Sequence, residues 1–168
     1  MNTARELWDQ AVRDYLTAHD GESSDVIFPA FTRSLGDLAG TVIMDYGCGD
    51  GRYARLLEAL GADQVIEVDL SPTMIAAAVA ADPASTVQYY NVPDNRLTPF
   101  ADRSVDTGVA NMVFMMSPSK ADLVQSFSEI HRVLSRKAGC CIASRTRPFL
   151  TRMPMIVDAC SMMLAFSI

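Results

Sequence analysis

Apolar residues recur at helical spacing at Leu7, Trp8, Val12, Tyr15 and Leu16, which predicts an amphipathic helix that stops before the polar run His19-Asp20-Gly21-Glu22-Ser23-Ser24. A second helix is predicted over residues 25–38. The period then changes. Short apolar runs at 41–46, 64–69, 86–91, 104–110 and 139–144 read as buried strands, and the spacing between them predicts helices over 52–60, 71–81 and 120–134. Leu123, Val124, Phe127, Ile130 and Leu134 share one face of the last helix. Gly61 supplies a stop for the first of these helices, and Ser71-Pro72 a start for the second, because a hydroxyl caps free N–H groups and proline has none to lose at a first turn. Strands alternating with helices predict an α/β domain with a parallel sheet covered on both faces and ligand sites at the carboxyl ends of its strands.

The densest chemistry falls where the first strand meets its helix, in Val42-Ile43-Met44-Asp45-Tyr46-Gly47-Cys48-Gly49-Asp50-Gly51. Glycine at Gly47, Gly49 and Gly51 lets the backbone take positive φ angles and approach a ligand with no Cβ in the way. The pattern D-x-G-x-G-x-G differs in spacing from the dinucleotide fingerprint. An acid just before such a loop, and another at Asp69 after the second strand, suit a nucleotide-like cofactor, because an ionised carboxylate accepts from two donors at once.

Composition narrows the partners. The 168 residues are 49% apolar and 20% charged, ordinary for one domain with a real core. A formal charge of -6 and a pI near 4.8 argue against nucleic acid or an anionic membrane as partner and favour small-molecule or protein substrates, of which a small molecule is preferred. Cys48, Cys140, Cys141 and Cys160 have no C-x-x-C spacing, so neither a disulfide framework nor a metal site is expected. No run approaches the roughly 18 apolar residues of a membrane span, and the first residues lack a secretory apolar core, so a cytoplasmic protein is expected.

Several motifs in order resemble the class I S-adenosylmethionine-dependent methyltransferases. They are Asp45 to Gly51, then Val68-Asp69-Leu70-Ser71-Pro72-Thr73-Met74-Ile75, then Thr98-Pro99-Phe100 followed by Ser104-Val105-Asp106, and Glu129-Ile130-His131-Arg132-Val133-Leu134. The resemblance implies a Rossmann-like, doubly wound sheet of about five strands in the order 3-2-1-4-5. It also implies S-adenosylmethionine as cofactor, S-adenosylhomocysteine as product, and methyl transfer to an acceptor, a small molecule by the charge argument. Asp45 with the Gly47, Cys48 and Gly49 backbone would hold the methionine end, Asp69 the ribose hydroxyls, and Leu70 and Met74 the adenine. Asn111 is expected either to touch the methionine portion or to satisfy local backbone groups. For the adenine amino group, one count selects Asp94 and another reaches Pro93; Asp94 is favoured. Tyr15 or Trp8 would close over the cofactor as part of a helical lid, with core packing as the plainer role.

Other features read more simply. Cys48 is a small packing residue, Asp50 a cap for the following helix, and Glu129 to Leu134 a packing helix with exposed charges. His19 reads as a surface residue, and Arg145, Arg147 and Arg152 as solvated charge or a substrate-anion site. No catalytic residue is singled out. One domain spanning 1–168 is expected, with a lid over 1–40, a core over 41–145 and an apolar tail over 146–168. That tail predicts one helix, so the family's final antiparallel strand pair is expected to be missing. Such a tail would cover the edge of the fifth strand or pair two copies in a homodimer. Two other functions fit less of the sequence: a catalytically incomplete binding or regulatory module, and a nicotinamide-dependent oxidoreductase.

Overall fold

In the computed structural model, residues 4–18, 33, 35–143 and 155–158 are described. The predicted helix over 25–38, His19 and the three arginines at 145, 147 and 152 fall wholly or mostly outside them. The sheet has six strands in the order β3-β2-β1-β4-β5-β6. These are β1 (Val42–Tyr46), β2 (Gln64–Asp69), β3 (Gln88–Asn91), β4 (Val105–Asn111), β5 (Leu134–Ala143) and β6 (Met155–Asp158). The first five are parallel and follow the expected order. The helices are α1 (Ala4–Ala18), α2 (Ala54–Ala59), α3 (Pro72–Ala81) and α4 (Lys120–Val133).

Side-chain alternation sorts β1, β2 and β4 into two packing faces. One carries Met44, Tyr46, Ile66, Val68 and Ala110 against Phe127, Ile130 and Val133 of α4. The other carries Ile43, Val65 and Val109 against Ala54 and Leu57 of α2 and against Leu38. An aromatic chain locks the first face. Tyr46 stacks on Phe114 with ring centroids 5.9 Å apart, Phe114 lies 4.3 Å from Phe127, and the Tyr46 hydroxyl donates to Ser126 Oγ at 2.9 Å. Each such buried ring contributes about 0.5–1.5 kcal/mol beyond its area.

Helix ends follow the local signals. Ser71 accepts from Met74 N at 3.3 Å and caps α3, and Ser119 accepts from Asp122 N at 3.2 Å and caps α4. α2 starts two residues later than expected and has no side-chain cap, because Asp50 is claimed by Arg52, whose guanidinium reaches it at 2.6 Å. β5 begins five residues earlier than expected. α4 passes straight into it, and the register jumps from Val105↔Leu134 to Thr107↔Gly139, so the stretch between is accommodated as a bulge.

Two expectations are corrected. Residues 155–158 of the tail form a strand rather than part of a helix, antiparallel to β5 with Cys141 opposite Ile156. The unpaired N–H and C=O groups along the β5 edge are a stronger template for Ile156 and Val157 than their weak helix propensity can resist. The charges of α4 are also not simply exposed. Arg132 donates to Leu97 O at 2.8 Å, Phe100 O at 2.9 Å and Asp102 at 2.8 Å, while Glu129 accepts from Leu97 N at 2.7 Å. The pair clamps the connection between β3 and β4. No helix of the described residues is long and apolar enough to cross a membrane.

Arg132→Lys keeps the charge but cannot span four acceptors with a planar fork. It should cost about 1–3 kcal/mol in urea unfolding, and an unchanged midpoint would show that the clamp contributes nothing.

Candidate functional site

The loop after β1 is held by its glycines. Gly47, Gly49 and Gly51 have φ of 78°, 59° and 69°. A Cβ on Gly47 would lie 2.4 Å from Val113 Cγ2, and one on Gly51 would lie 2.9 Å from Ala78 Cβ. Glycine is required there by packing as well as by φ. A Cβ on Gly49 would meet only the Tyr15 hydroxyl, at 3.9 Å, so the loop's middle is its open surface. Gly47 N and Cys48 N both donate to Val68 O, at 2.7 and 3.1 Å, which folds the loop back over the end of β2.

Asp69 terminates β2 as a buried carboxylate. Its Oδ2 accepts from Gly49 N at 3.0 Å and its Oδ1 from Ser71 N at 2.8 Å. Burial pushes its pKa up, against the opposing pull of those backbone donors. The Ser71 hydroxyl donates to Asp9 of α1 at 2.5 Å, which docks α1 beside the site. Trp8 and Tyr15 of α1 meet edge to face with centroids 5.5 Å apart, and Tyr15 is the one turned toward Gly49. Burial is the main cause of a raised Tyr15 pKa, followed by the Asp50 charge.

The end of β4 closes the opposite side. Asn111 Nδ2 donates to the Tyr53 hydroxyl at 3.0 Å, while its Oδ1 is buried without a hydrogen-bond partner. Met112 follows at φ 60°, an unusual angle for a side chain of this size, and Met115 and Met116 stand exposed beyond it. Met74 is buried in α3 and Leu70 is half-buried before it. Asp94 lies in the exposed turn after β3, where its Oδ1 accepts from Arg96 N at 3.1 Å. The structure therefore groups Tyr15, Asp45, Gly47, Cys48, Gly49, Asp69 and Asn111 around the carboxyl ends of β1, β2 and β4. Asp94 stands at the rim.

Sequence reasoning missed Asp9, Tyr53 and Glu67. Glu67 carried a signal, an acid inside the apolar run of a buried strand; the other two are recognisable only by partners far along the chain. Asp45 and Glu67 are opposite one another in the parallel register, both fully buried. Burial, reinforced by the Asp69 charge, pushes Asp45 up to about 7. Burial and then the Asp45 charge push Glu67 well above the carboxylate range. Burial likewise keeps the Cys48 thiol protonated, which makes it a packing group and not a nucleophile. Among the described residues no group of His, Cys, Asp or Glu is arranged to hold a metal ion.

A carboxyl whose folded pKa exceeds its unfolded value favours the folded chain most at low pH, and that contribution drains away as pH rises toward the folded pKa. For Asp45 the window runs from about 4 to about 7. Asp45→Asn should therefore flatten the decline of ligand-free stability between these values in urea titrations at stepped pH. A profile parallel to that of the wild type would refute the assignment.

Comparison with known proteins gives this geometry its context. Residues 44–142 match the family described as "Methyltransferase domain". The chain is 32% identical over 114 residues to N-demethylindolmycin N-methyltransferase of Streptomyces griseus, covering 64% of this chain and 48% of that protein. A solved S-adenosylmethionine-dependent methyltransferase from Mesorhizobium loti superposes with a TM-score of 0.60 at 27% identity, over 70% of this chain and 52% of that one. Phosphoethanolamine N-methyltransferase 1 of Haemonchus contortus, solved with phosphoethanolamine and S-adenosylhomocysteine, shares the fold with a TM-score of 0.69 at 17% identity, over 92% and 37%. The chain spans about half the length of the first two. With more than half of its residues inside the family pattern and the strand order that the pattern demands, the chain belongs to the class I S-adenosylmethionine-dependent methyltransferases.

Proposed function

We propose that this domain binds S-adenosylmethionine across the carboxyl ends of β1, β2 and β4 and supports methyl transfer to a small-molecule acceptor. The observation that carries the reading is the Asp69 carboxylate. Its two oxygens offer about four lone-pair positions, and backbone donors occupy one on each oxygen. The remaining positions suit the two hydroxyls of a ribose, and the donors already in place hold the carboxylate still to receive them.

The rest of the site fits the same molecule. Asn111 Oδ1, buried without a partner, needs a donor, which the ammonium group of the cofactor's methionine end would supply. Asp45 adds a negative charge for that ammonium, and the open middle of the glycine loop allows close backbone approach. Leu70 and Met74 offer apolar surface for the adenine, Asp94 an acceptor for its amino group, and Tyr15 a lid over the loop. The cofactor supplies a methyl group activated by sulfonium for in-line displacement. The chain's task is to position that methyl and exclude water from it. A small-molecule acceptor agrees with the acidic chain and with the activity named for the Streptomyces relative. The family membership sets aside the nicotinamide reading, and turnover distinguishes an enzyme from a binding module.

In calorimetry the wild type should bind both S-adenosylmethionine and S-adenosylhomocysteine. Asp69→Ala, checked for folding by circular dichroism, should lose at least about tenfold in affinity through two lost charged hydrogen bonds. Full affinity in the variant would contradict the ribose assignment. Absence of binding by the folded wild type would sink the cofactor reading itself.

A further inference from the structure

Glu67 is the polar group in this fold that the proposed cofactor site does not use. It lies in the middle of β2, fully buried, and neither carboxyl oxygen has a hydrogen-bond partner. An ionised carboxylate in that setting would carry a desolvation cost of several kcal/mol, so the side chain keeps its proton. A protonated acid is a donor and needs an acceptor.

The register supplies one. Asp45 of β1 is directly opposite Glu67. Its carboxyl group is also buried, and as a carboxylate it can take a hydrogen bond from a proton that Glu67 holds. On the other side Tyr89 of β3 is opposite Glu67, and its buried hydroxyl is also without a partner. Two unsatisfied groups, Glu67 and Tyr89, and the buried Asp45 thus stand in one row on neighbouring strands about 4.8 Å apart. Their chemistry is complementary, since a hydroxyl can donate, a protonated acid can accept on one oxygen and donate from the other, and a carboxylate can accept.

We propose that Glu67 is a positioning residue, a neutral acid linking Tyr89 to Asp45, whose proton stabilises the Asp45 carboxylate so that the row presents a single negative charge to the cofactor's ammonium group. This rests on the cofactor reading above. It accounts for an acid in a strand interior where an apolar residue would stabilise the fold better. Other ionisable groups near the row are Asp69 on the same strand, Cys48 and Asp50 in the glycine loop, Tyr15 and Tyr53 near Asp45, and Arg55 and Asp82 acting on Tyr89. Arg55 is the only cation among them, and it faces Tyr89 rather than Glu67. The Cys48 thiol, which also acts on Glu67, is only a weak donor. Glu67 is the buried acid directly opposite Asp45 in the register, which places its proton where it can stabilise the Asp45 carboxylate.

The test compares wild type, Glu67→Leu and Glu67→Gln by two readouts. In the ligand-free protein, carboxyl-carbon NMR titration should show Asp45 titrating near 7 and Glu67 holding its proton beyond that midpoint. Glu67→Leu should move the Asp45 midpoint up by about one unit or more, and Glu67→Gln, which can still donate, should hold it near the wild-type value. In calorimetry with S-adenosylhomocysteine, Glu67→Leu should bind about fivefold more weakly at pH 7 and at wild-type strength at pH 9, following the ionised fraction of Asp45. A loss of affinity equal at both pH values, an Asp45 midpoint unmoved by Leu, or a Glu67 signal that ionises below pH 7 would each overturn the proposal. If the wild type binds no cofactor while the NMR midpoints shift as stated, the acid pair stands and the cofactor reading fails.

Discussion

The Asp69 carboxylate is the brace on which the site depends. It joins the end of β2 to the glycine loop through Gly49 N and to the start of α3 through Ser71 N, and Ser71 in turn holds Asp9 of α1. One side chain therefore fixes the relative positions of three connections that are far apart in sequence. It can do so because the bonds go to backbone N–H groups, which have no rotamers of their own to lose. A site braced in this way is organised before any ligand arrives, so little ordering entropy remains to be lost on binding.

That organisation concentrates acids. Asp45, Glu67 and Asp69 lie within one patch of sheet under a loop of partial positive backbone charge, and burial raises all three. In stability terms this is a defect, since apolar residues there would suit the fold better. The two faces of the sheet offset it with continuous apolar packing, including Ile43, Val65 and Leu57 on one side and Val68, Val105 and Val133 on the other. That cost falls where the proposed cofactor site lies and is absent from the packed layers on either face of the sheet, as local rule-breaking in a fold usually marks a functional site.

Much of the fold was legible along the chain. Short apolar runs separated by segments of helical period located the five parallel strands, and the hydroxyl of Ser71 ahead of Pro72 marked the start of α3 to the residue. The D-x-G-x-G-x-G loop was legible because φ above zero and close packing against Val113 and Ala78 both demand glycine, which leaves a mark in the sequence itself. Less legible were the boundaries set by neighbours. β5 starts at Leu134 because β4 offers it a pairing edge, and residues 155–158 form a strand because β5 offers them one, although the apolar tail as a whole reads as a helix along the chain.

The sequence by itself determined the class of fold, the glycine loop and the place of the acid at Asp69, because each depends on a local rule: side-chain period, backbone angle, or a residue's place after a strand. Only the tertiary structure decided which polar groups meet. Asp9 with Ser71, Tyr53 with Asn111 and Arg132 with the 97–102 turn are pairings across strands and helices, and the sheet register alone sets Asp45, Glu67 and Tyr89 in one row. A hydrogen bond or a shared proton depends on distances of a few ångströms between atoms many residues apart, and those distances exist only once the sheet has set its register.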